Sequence, residues 1–155
     1  MMGIEKRFRL VFWLIAAGAI LLLITYLSSQ AASESNDLSK GFTKWLMDIF
    51  VGDYTAEALR QNNHFVRKAA HFTLYFCLGF SLTGALQHQN KVPKLPAAVL
   101  LGAAFAALDE FHQRFVAGRG PQVLDVLLDT CGVAVGSLLM FCILLLAGHT
   151  RRRGN

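Results

Sequence analysis

Four long apolar stretches dominate this chain, and their length restricts the folds open to it. They cover approximately residues 10–27, 69–86, 95–116 and 123–147. A helix needs roughly 20 residues to cross the hydrocarbon core of a bilayer, and each stretch is close to that length. In lipid the backbone polar groups must pair within the segment, which a helix achieves. The sequence therefore predicts an all-α polytopic membrane protein with four transmembrane helices.

The composition supports a membrane protein and argues against other classes. Hydrophobic residues make up 54% of the chain and charged residues only 16%, whereas a soluble domain carries about a quarter charged residues. With 155 residues, we expect a single membrane domain over residues 1–155. The net charge is +5, but the basic residues flank apolar stretches instead of forming a patch with interleaved aromatic residues. We therefore expect no nucleic-acid partner.

The first apolar stretch has an alternative interpretation as a signal peptide. Lys6, Arg7 and Arg9 precede it, and the small-x-small triplet Ser29-Gln30-Ala31 follows it. However, its apolar run is longer than the roughly 7–15 residues typical of a signal peptide. The length favours a retained first helix.

The distribution of lysine and arginine favours cytoplasmic N- and C-termini. Cytoplasmic loops carry an excess of these residues. With both termini inside, Arg114 and Arg119 lie in a short outer loop, and the long segment after the first stretch is extracytoplasmic although it also carries basic residues. The residues placed in the cytoplasm are Lys6, Arg7, Arg9, Lys91, Lys94, Arg151, Arg152 and Arg153.

The first extracytoplasmic segment contains a short amphipathic pattern. An apolar stripe recurs there at helical spacing, formed by Leu38, Phe42, Trp45, Leu46, Ile49 and Phe50. The stripe predicts a short helix that either lies flat in the outer membrane interface or packs against the bundle. After it, we expect a separate helical turn over residues 53–61, interrupted at Asn62 and Asn63 before the second span.

Ionisable residues lie in or beside three of the spans, all toward the same membrane face. Such residues are costly in lipid and indicate a functional site by default. At about 1.5 Å of rise per residue, they all fall in the outer third of the bilayer. We expect them to converge on one hydrated, ligand-binding pocket formed by Arg67, Lys68, His71, Asp109, Glu110, His112, Gln113, Arg114, Arg119, Asp125 and Asp129.

Small residues follow the two aspartates on the fourth span. Gly132 and Gly136 form a GxxxG pattern on the same helical face as Asp125 and Asp129. Small residues at this spacing allow close approach of another helix. We expect this packing to occur within the monomer in preference to a dimer interface.

The polar motifs resemble those of the VanZ-like family over nearly the whole chain. The resemblance implies a bacterial protein with four membrane helices, and the founding member is associated with resistance to teicoplanin. One departure is Ala117, where the family often has proline before the Gly-Arg pair. The matching motifs are Tyr26-Leu27-Ser28-Ser29-Gln30, Lys68-x-x-His71-Phe72-x-x-Tyr75 and Asp109-Glu110-x-His112-Gln113-x-Phe115-x-x-Gly118-Arg119, followed by Asp125, Asp129 and Gly132.

Two functional hypotheses fit these residues. In the first, the protein binds an anionic lipid or a lipid-linked envelope molecule, and arginine forks grip its phosphate. In the second, it is a hydrolase or transferase acting on an envelope lipid or lipopeptide. The second hypothesis assigns acid and base roles to His71, Asp109, Glu110 and His112, with Asp125 and Asp129 orienting a histidine.

A third hypothesis is purely structural. Ion pairs between helices, such as Glu110 with Arg114 or Asp125 with Arg119, can fix helix register without binding anything. We expect no metal and no cofactor, because the spacing of the histidines and carboxylates matches no defined metal motif. No serine or cysteine nucleophile stands beside the cluster in the sequence.

Overall fold

The chain forms five helices in the computed structural model, which describes residues 3–87, 94–120 and 122–153. Four of these helices, counting α5 as far as Ala147, are long and apolar enough to cross a membrane, which confirms the predicted four-span architecture. The helices are α1 (Ile4–Ser29), α2 (Ala32–Phe50), α3 (Ala56–Leu86), α4 (Lys94–Gln113) and α5 (Val123–Arg153). Lys91 and the side chains of 151–153, on which the predicted orientation partly depends, lie outside the described part of the structure.

The outward surface of the spanning helices is apolar. Leu22 on α1 and Leu100 on α4 are 74% and 72% exposed. Large exposed aliphatic residues on such long helices would be unfavourable in water, but lipid tails are as apolar as leucine side chains. The exposed surface therefore suits a lipid environment.

Helix α3 is the centre of the bundle and contacts each of the other four helices, most extensively α5. Glycines make this contact possible, because a Cβ atom on Gly136 would lie 1.9 Å from the backbone oxygen of Phe76, and one on Gly132 would lie 2.6 Å from that of Phe72. The Ser137 hydroxyl adds a hydrogen bond to the Gly79 carbonyl oxygen at 3.1 Å. The predicted GxxxG packing therefore occurs within the chain.

Helix α2 is the predicted amphipathic helix, but its apolar stripe faces away from the bundle. Phe42 and Trp45 stack with ring centroids 5.8 Å apart, and both are more than half exposed. The face that contacts α3 carries the buried residues Thr43 and Met47 instead. The alternative in which the stripe packs against the bundle is therefore wrong. Leu38, the first residue of the stripe, has no described side chain.

Two predicted helix boundaries are also wrong. Helix α3 is continuous through Asn62 and Asn63, because Asn62 donates to the Ala58 carbonyl oxygen of its own helix and Asn63 is buried against α2. Tertiary contacts here outweigh the low helix propensity of asparagine. Helix α4 ends at Gln113 instead of Val116, since the next residues form a turn that includes Gly118 with a φ of +75°.

Candidate functional site

A polar pocket of about 200 Å³ lies where α3, α4, α5 and the α4–α5 loop meet. Eight of the eleven residues predicted for the site line it. They are Arg67, Lys68 and His71 from α3, Glu110 and Gln113 from α4, Arg119 from the loop, and Asp125 and Asp129 from α5. The structure thus brings together polar groups from three spanning helices at one depth.

An ion pair and a histidine–carboxylate contact join α3 to α5 across the pocket. Lys68 Nζ pairs with Asp125 Oδ1, and His71 Nδ1 lies 3.6 Å from Asp129 Oδ2. The Lys68 and Asp125 side chains each remain about one-third exposed, whereas the Asp129 side chain is almost fully buried. These pairs neutralise Lys68 and Asp125 locally and hold the two helices in register.

The register pairs proposed from the sequence do not form. Asp125 pairs with Lys68 instead of Arg119, and Glu110 accepts a hydrogen bond from the Gln122 backbone N–H instead of pairing with Arg114. Glu110 is buried at the end of α4, so it holds the residue just before α5 close to the pocket. Arg114 lies beyond the last residue of α4, with its guanidinium 5.6 Å from the Phe111 ring centroid.

Two arginines in the pocket have no carboxylate partner among the described residues. Arg67 Nη1 donates to the Asn36 side-chain oxygen at 3.1 Å, and Arg119 Nη2 donates to the Leu27 carbonyl oxygen at 2.9 Å. Arg119 Nε is buried without a hydrogen-bond partner. Burial, and secondly the neighbouring Arg67 guanidinium, lower the pKa of Arg119. Asp109 and Glu110 act in the opposite direction, so the positive charge of the two arginines is only partly compensated.

Asp109 and His112 lie outside this pocket and line a second cavity between α1 and α4. Asp109 and Glu110 are consecutive residues on a helix, so their side chains point about 100° apart. Glu110 faces the pocket, whereas Asp109 faces α1 and accepts a hydrogen bond from the Ser28 hydroxyl at 2.8 Å. The expectation of one shared pocket is therefore corrected for Asp109 and His112, and Arg114 lines neither cavity.

Gln113 lies between the two cavities. It lines the polar pocket and donates from Nε2 to Asp109 Oδ2 at 3.1 Å and to Ser28 Oγ at 3.4 Å. Its position four residues after Asp109 and three after Glu110 places it between their two helical faces. The two polar regions are thus separate cavities that share one wall.

Sequence reasoning missed several residues that help to build the two regions. His64 lines the polar pocket, and its spacing of four residues before Lys68 and seven before His71 could have revealed it. Ser29 Oγ lies 3.4 Å from His112 Nε2, which places a serine beside a histidine after all. No spacing rule signals that contact, because the serine comes from a helix distant in sequence.

Metal ligands do not cluster in the described residues, where no group of three or more histidine, cysteine, aspartate or glutamate side chains could hold an ion. The polar groups instead pair across helices or point into the pocket.

A family model described as VanZ/LLP1 matches residues 12–146, which include every predicted site residue. No curated protein and no solved structure matches the chain. The match spans nearly all of the bundle, from α1 into α5, and together with the four spanning helices it shows that this chain is a multi-pass membrane protein belonging to the VanZ-like family.

Proposed function

We propose that the protein binds the anionic headgroup of a lipid, or a lipid-linked phosphate of the cell envelope, in the polar pocket. The observation that carries this proposal is the pair of arginines, Arg67 and Arg119, that face the pocket without carboxylate partners among the described residues. Glu110 and Asp125 each have a partner in the protein, and Asp129 lies against His71 through Oδ2, while its buried Oδ1 has no hydrogen-bond partner among the described residues.

The charge distribution favours an anion beside the arginines. Two guanidinium groups that repel each other in a partly buried site are stabilised when a negative group lies between them. Arginine presents a planar fork of N–H donors that matches a phosphate with two parallel hydrogen bonds. The unpaired Nε of Arg119 is available for such a contact. A phosphate therefore satisfies both the charge and the hydrogen-bonding capacity of this region.

The surroundings of the pocket favour a lipid as the source of the phosphate. The pocket is built at one end of three helices that are long and apolar enough to span a membrane. A lipid headgroup at the bilayer surface can enter a pocket at the end of the helices while the acyl chains of the lipid remain in the hydrocarbon core. Binding of this kind uses the polar groups without exposing them to the bilayer core.

Titration with defined lipids tests the proposal directly. Purified protein in detergent is titrated with phosphatidic acid and, separately, with phosphatidylcholine of the same chains. We expect wild type to retain phosphatidic acid, and Arg67→Gln and Arg119→Gln each to weaken that binding by about tenfold, the equivalent of one charge-assisted hydrogen bond. Arg60→Gln is the control, because Arg60 is exposed and pairs with Glu57 on its own helix. Equal binding by all four proteins contradicts the proposal.

The proposal includes an orientation, with both termini in the cytoplasm and the pocket on the outer face. Single cysteines at Ala117→Cys, in the α4–α5 loop, and Gln87→Cys, after α3, report it in a variant whose native cysteines are replaced. An impermeant thiol reagent added to intact cells should label position 117 and spare position 87. The reverse pattern contradicts the orientation and places the pocket on the cytoplasmic side.

Resistance to teicoplanin-type glycopeptides is the cellular role that the proposal assigns to this binding. Its support is family membership alone. Expression in a susceptible host should raise the inhibitory concentration of teicoplanin, and Arg119→Gln should remove the increase without reducing the amount of protein in the membrane. Resistance that is the same with and without the protein contradicts this role while leaving the binding proposal intact.

An envelope hydrolase or transferase is the second candidate. The contact between Ser29 and His112 favours it, since a serine beside a histidine can act as a nucleophile. In the structure, however, the Ser29 hydroxyl donates to the Thr25 carbonyl oxygen at 2.6 Å, so it must rotate before His112 can accept its proton. A fluorophosphonate probe separates the two candidates, because labelling that is lost in both Ser29→Ala and His112→Ala supports the enzyme.

A further inference from the structure

A second cavity opens sideways between two spanning helices, α1 and α4. Its volume is about 130 Å³, many times the space that one buried water needs. Its lining includes Leu108, which is 62% exposed on the lipid-facing side of α4. The cavity, here called the crevice, is therefore accessible to a molecule that approaches within the bilayer.

The crevice changes from apolar to polar along the bundle axis. Leu21 and Phe105 line its deeper part, whereas Thr25, Asp109 and His112 follow one or two turns later on the same two helices, toward the α4–α5 loop. Membrane lipids have the same arrangement, with chains toward the bilayer centre and polar heads toward the surface. The lining therefore matches an amphiphile lying parallel to the helices.

Two polar groups of the crevice have unused hydrogen-bonding capacity. Tyr75 has 0% exposure and lines the crevice, and its hydroxyl has no hydrogen-bond partner among the described residues. A buried hydroxyl left unpaired costs about 1–3 kcal/mol. Both hydrogen bonds found for Asp109 end on Oδ2, from Ser28 and Gln113. In the described residues, Asp109 forms no salt bridge with a lysine, arginine or histidine.

We infer that the crevice binds a membrane aminolipid, whose primary ammonium group donates hydrogen bonds to Asp109 and Tyr75 while its chain packs against Leu21 and Phe105. A cation compensates the unpaired carboxylate, and the N–H groups fill the free positions on Asp109 and on the tyrosine oxygen. A neutral head leaves the carboxylate without a counter-charge. A quaternary ammonium carries the charge but has no N–H to donate.

This site is distinct from the anion pocket and does not depend on it. The Gln113 side chain stands between the two, because it lines the pocket while it bonds to Asp109. Arg67 and Arg119 line the pocket and are absent from the crevice lining. The two proposals therefore predict different effects for different substitutions.

Competition between two lipids tests the inference. Detergent-solubilised protein is mixed with equal amounts of phosphatidylethanolamine and phosphatidylcholine of identical chains, and the bound lipids are counted by native mass spectrometry. The two lipids share the phosphate and differ only in methylation of the nitrogen, so their ratio reports the ammonium contact alone. We expect wild type to favour phosphatidylethanolamine by about tenfold, the value of one charge-assisted hydrogen bond.

Variants assign the preference to the crevice. Asp109→Asn should reduce the ratio to about one, and Tyr75→Phe, which removes only an unpartnered hydroxyl, should reduce it severalfold without affecting folding. Asp53→Asn and the exposed Tyr26→Phe are matched controls that should keep the wild-type ratio. Arg119→Gln should leave the ratio unchanged, because Arg119 lines the pocket and not the crevice.

Three results overturn the inference. The first is a wild-type ratio near one, and the second is a ratio that neither Asp109→Asn nor Tyr75→Phe changes. The third is displacement of phosphatidylethanolamine by an equal concentration of free ethanolamine, which assigns the crevice to a soluble amine. If wild type shows no preference for phosphatidylethanolamine but still binds phosphatidic acid, the aminolipid site is refuted and the anion-pocket proposal is not.

Discussion

Arg119 Nη2 donates a hydrogen bond to the carbonyl oxygen of Leu27 at 2.9 Å, which ties the α4–α5 loop to the end of α1. The last carbonyl groups of a helix lack partners within the helix and carry partial negative charge. Leu27 lies two residues before the end of α1, so its oxygen suits a cation. One edge of the guanidinium thus anchors the loop, and the buried Nε has no hydrogen-bond partner among the described residues.

Arg119→Lys separates the geometry of this residue from its charge. Lysine keeps the positive charge but cannot form a planar fork or hold the Leu27 oxygen and a phosphate together. We expect binding of phosphatidic acid to weaken by about tenfold, measured by titration as for the glutamine variant. Arg114→Lys is the control, because Arg114 contacts the Phe111 ring outside the pocket. Unchanged affinity in Arg119→Lys would mean that charge alone determines binding.

Removing one partner of the ion pair between Lys68 and Asp125 should destabilise the protein more than replacing both partners with apolar residues. Lys68→Met leaves a carboxylate unpaired in the pocket, and we expect the free energy of unfolding in detergent to fall by about 1–3 kcal/mol, since each side chain is still one-third exposed. Lys68→Met combined with Asp125→Leu removes both charges and should recover most of the loss. A double variant as unstable as the sum of the two single variants contradicts this.

The spans and the positions of the polar groups along them were predictable because both depend on local sequence. Apolar length identifies each span, and the constant rise of a helix fixes how far along it Asp109 or Asp129 lies. The cavity that each side chain faces could not be predicted in the same way, because it depends on where the neighbouring helices lie. Asp109 and Glu110 therefore enter different cavities, although nothing in the local sequence indicates which neighbour each one meets.

The orientation of the α2 stripe, which the sequence left open, and the continuity of α3, which it misjudged, have the same physical origin. An apolar stripe such as that of α2 is equally suited to lipid and to a protein core, so its pattern did not decide between them. Asn62 and Asn63 are typical of a helix interruption, but Asn63 is covered by Thr43 and Asn36 of α2. Only contacts between segments distant in sequence reveal either outcome.

Asn63 should stabilise the contact between α2 and α3. Its side chain accepts a hydrogen bond from the Thr43 hydroxyl at 3.2 Å and donates to Asn36, which in turn accepts from Arg67. Asn63→Ala leaves the buried Thr43 hydroxyl with one partner fewer and should lower the unfolding free energy by about 1–3 kcal/mol. Phosphatidic acid binding should also weaken, because Asn36 no longer has a fixed position beside Arg67.

Asn62→Ala is a matched control for this change. Asn62 is exposed and bonds only to the Ala58 carbonyl oxygen of its own helix. Alanine is the better helix former, so stability should stay the same or rise slightly. Thermal unfolding of both variants in the same detergent compares them, and an equal loss in the two would show that the α2 contact contributes nothing.

The turn between α2 and α3 should respond to alkaline pH. The Tyr54 hydroxyl donates to Asp48 Oδ1 at 2.6 Å, and this hydrogen bond, followed by burial and the carboxylate charge, raises the pKa of Tyr54 above its usual 10.0. The contact therefore stabilises the fold fully below about pH 10 and is lost as the pH rises through the raised pKa. Asp48→Asn should return the pKa of Tyr54 toward its usual value.

The absorbance of tyrosinate measures this titration. Subtracting the curve of Tyr54→Phe from that of wild type isolates the contribution of Tyr54. Asp53→Asn provides the control, since it removes a neighbouring carboxylate that does not bond to the phenol. A wild-type titration that coincides with that of Asp48→Asn would refute the role of the hydrogen bond.

Gly136 and Gly18 should respond in opposite ways to the same added methyl group. A Cβ at Gly136 would lie 1.9 Å from the Phe76 backbone oxygen, so α3 and α5 must move apart, whereas one at Gly18 has nothing within 4 Å. We expect Gly136→Ala to lower the unfolding free energy by about 1–3 kcal/mol, as other overpacked sites do, and Gly18→Ala to leave it unchanged or slightly raised. Because the same helix pair carries Lys68 and Asp125, Gly136→Ala should also weaken phosphatidic acid binding. Thermal unfolding and lipid titration in one detergent measure both effects, and equal stability of the two variants would show that α3 and α5 do not need to approach this closely.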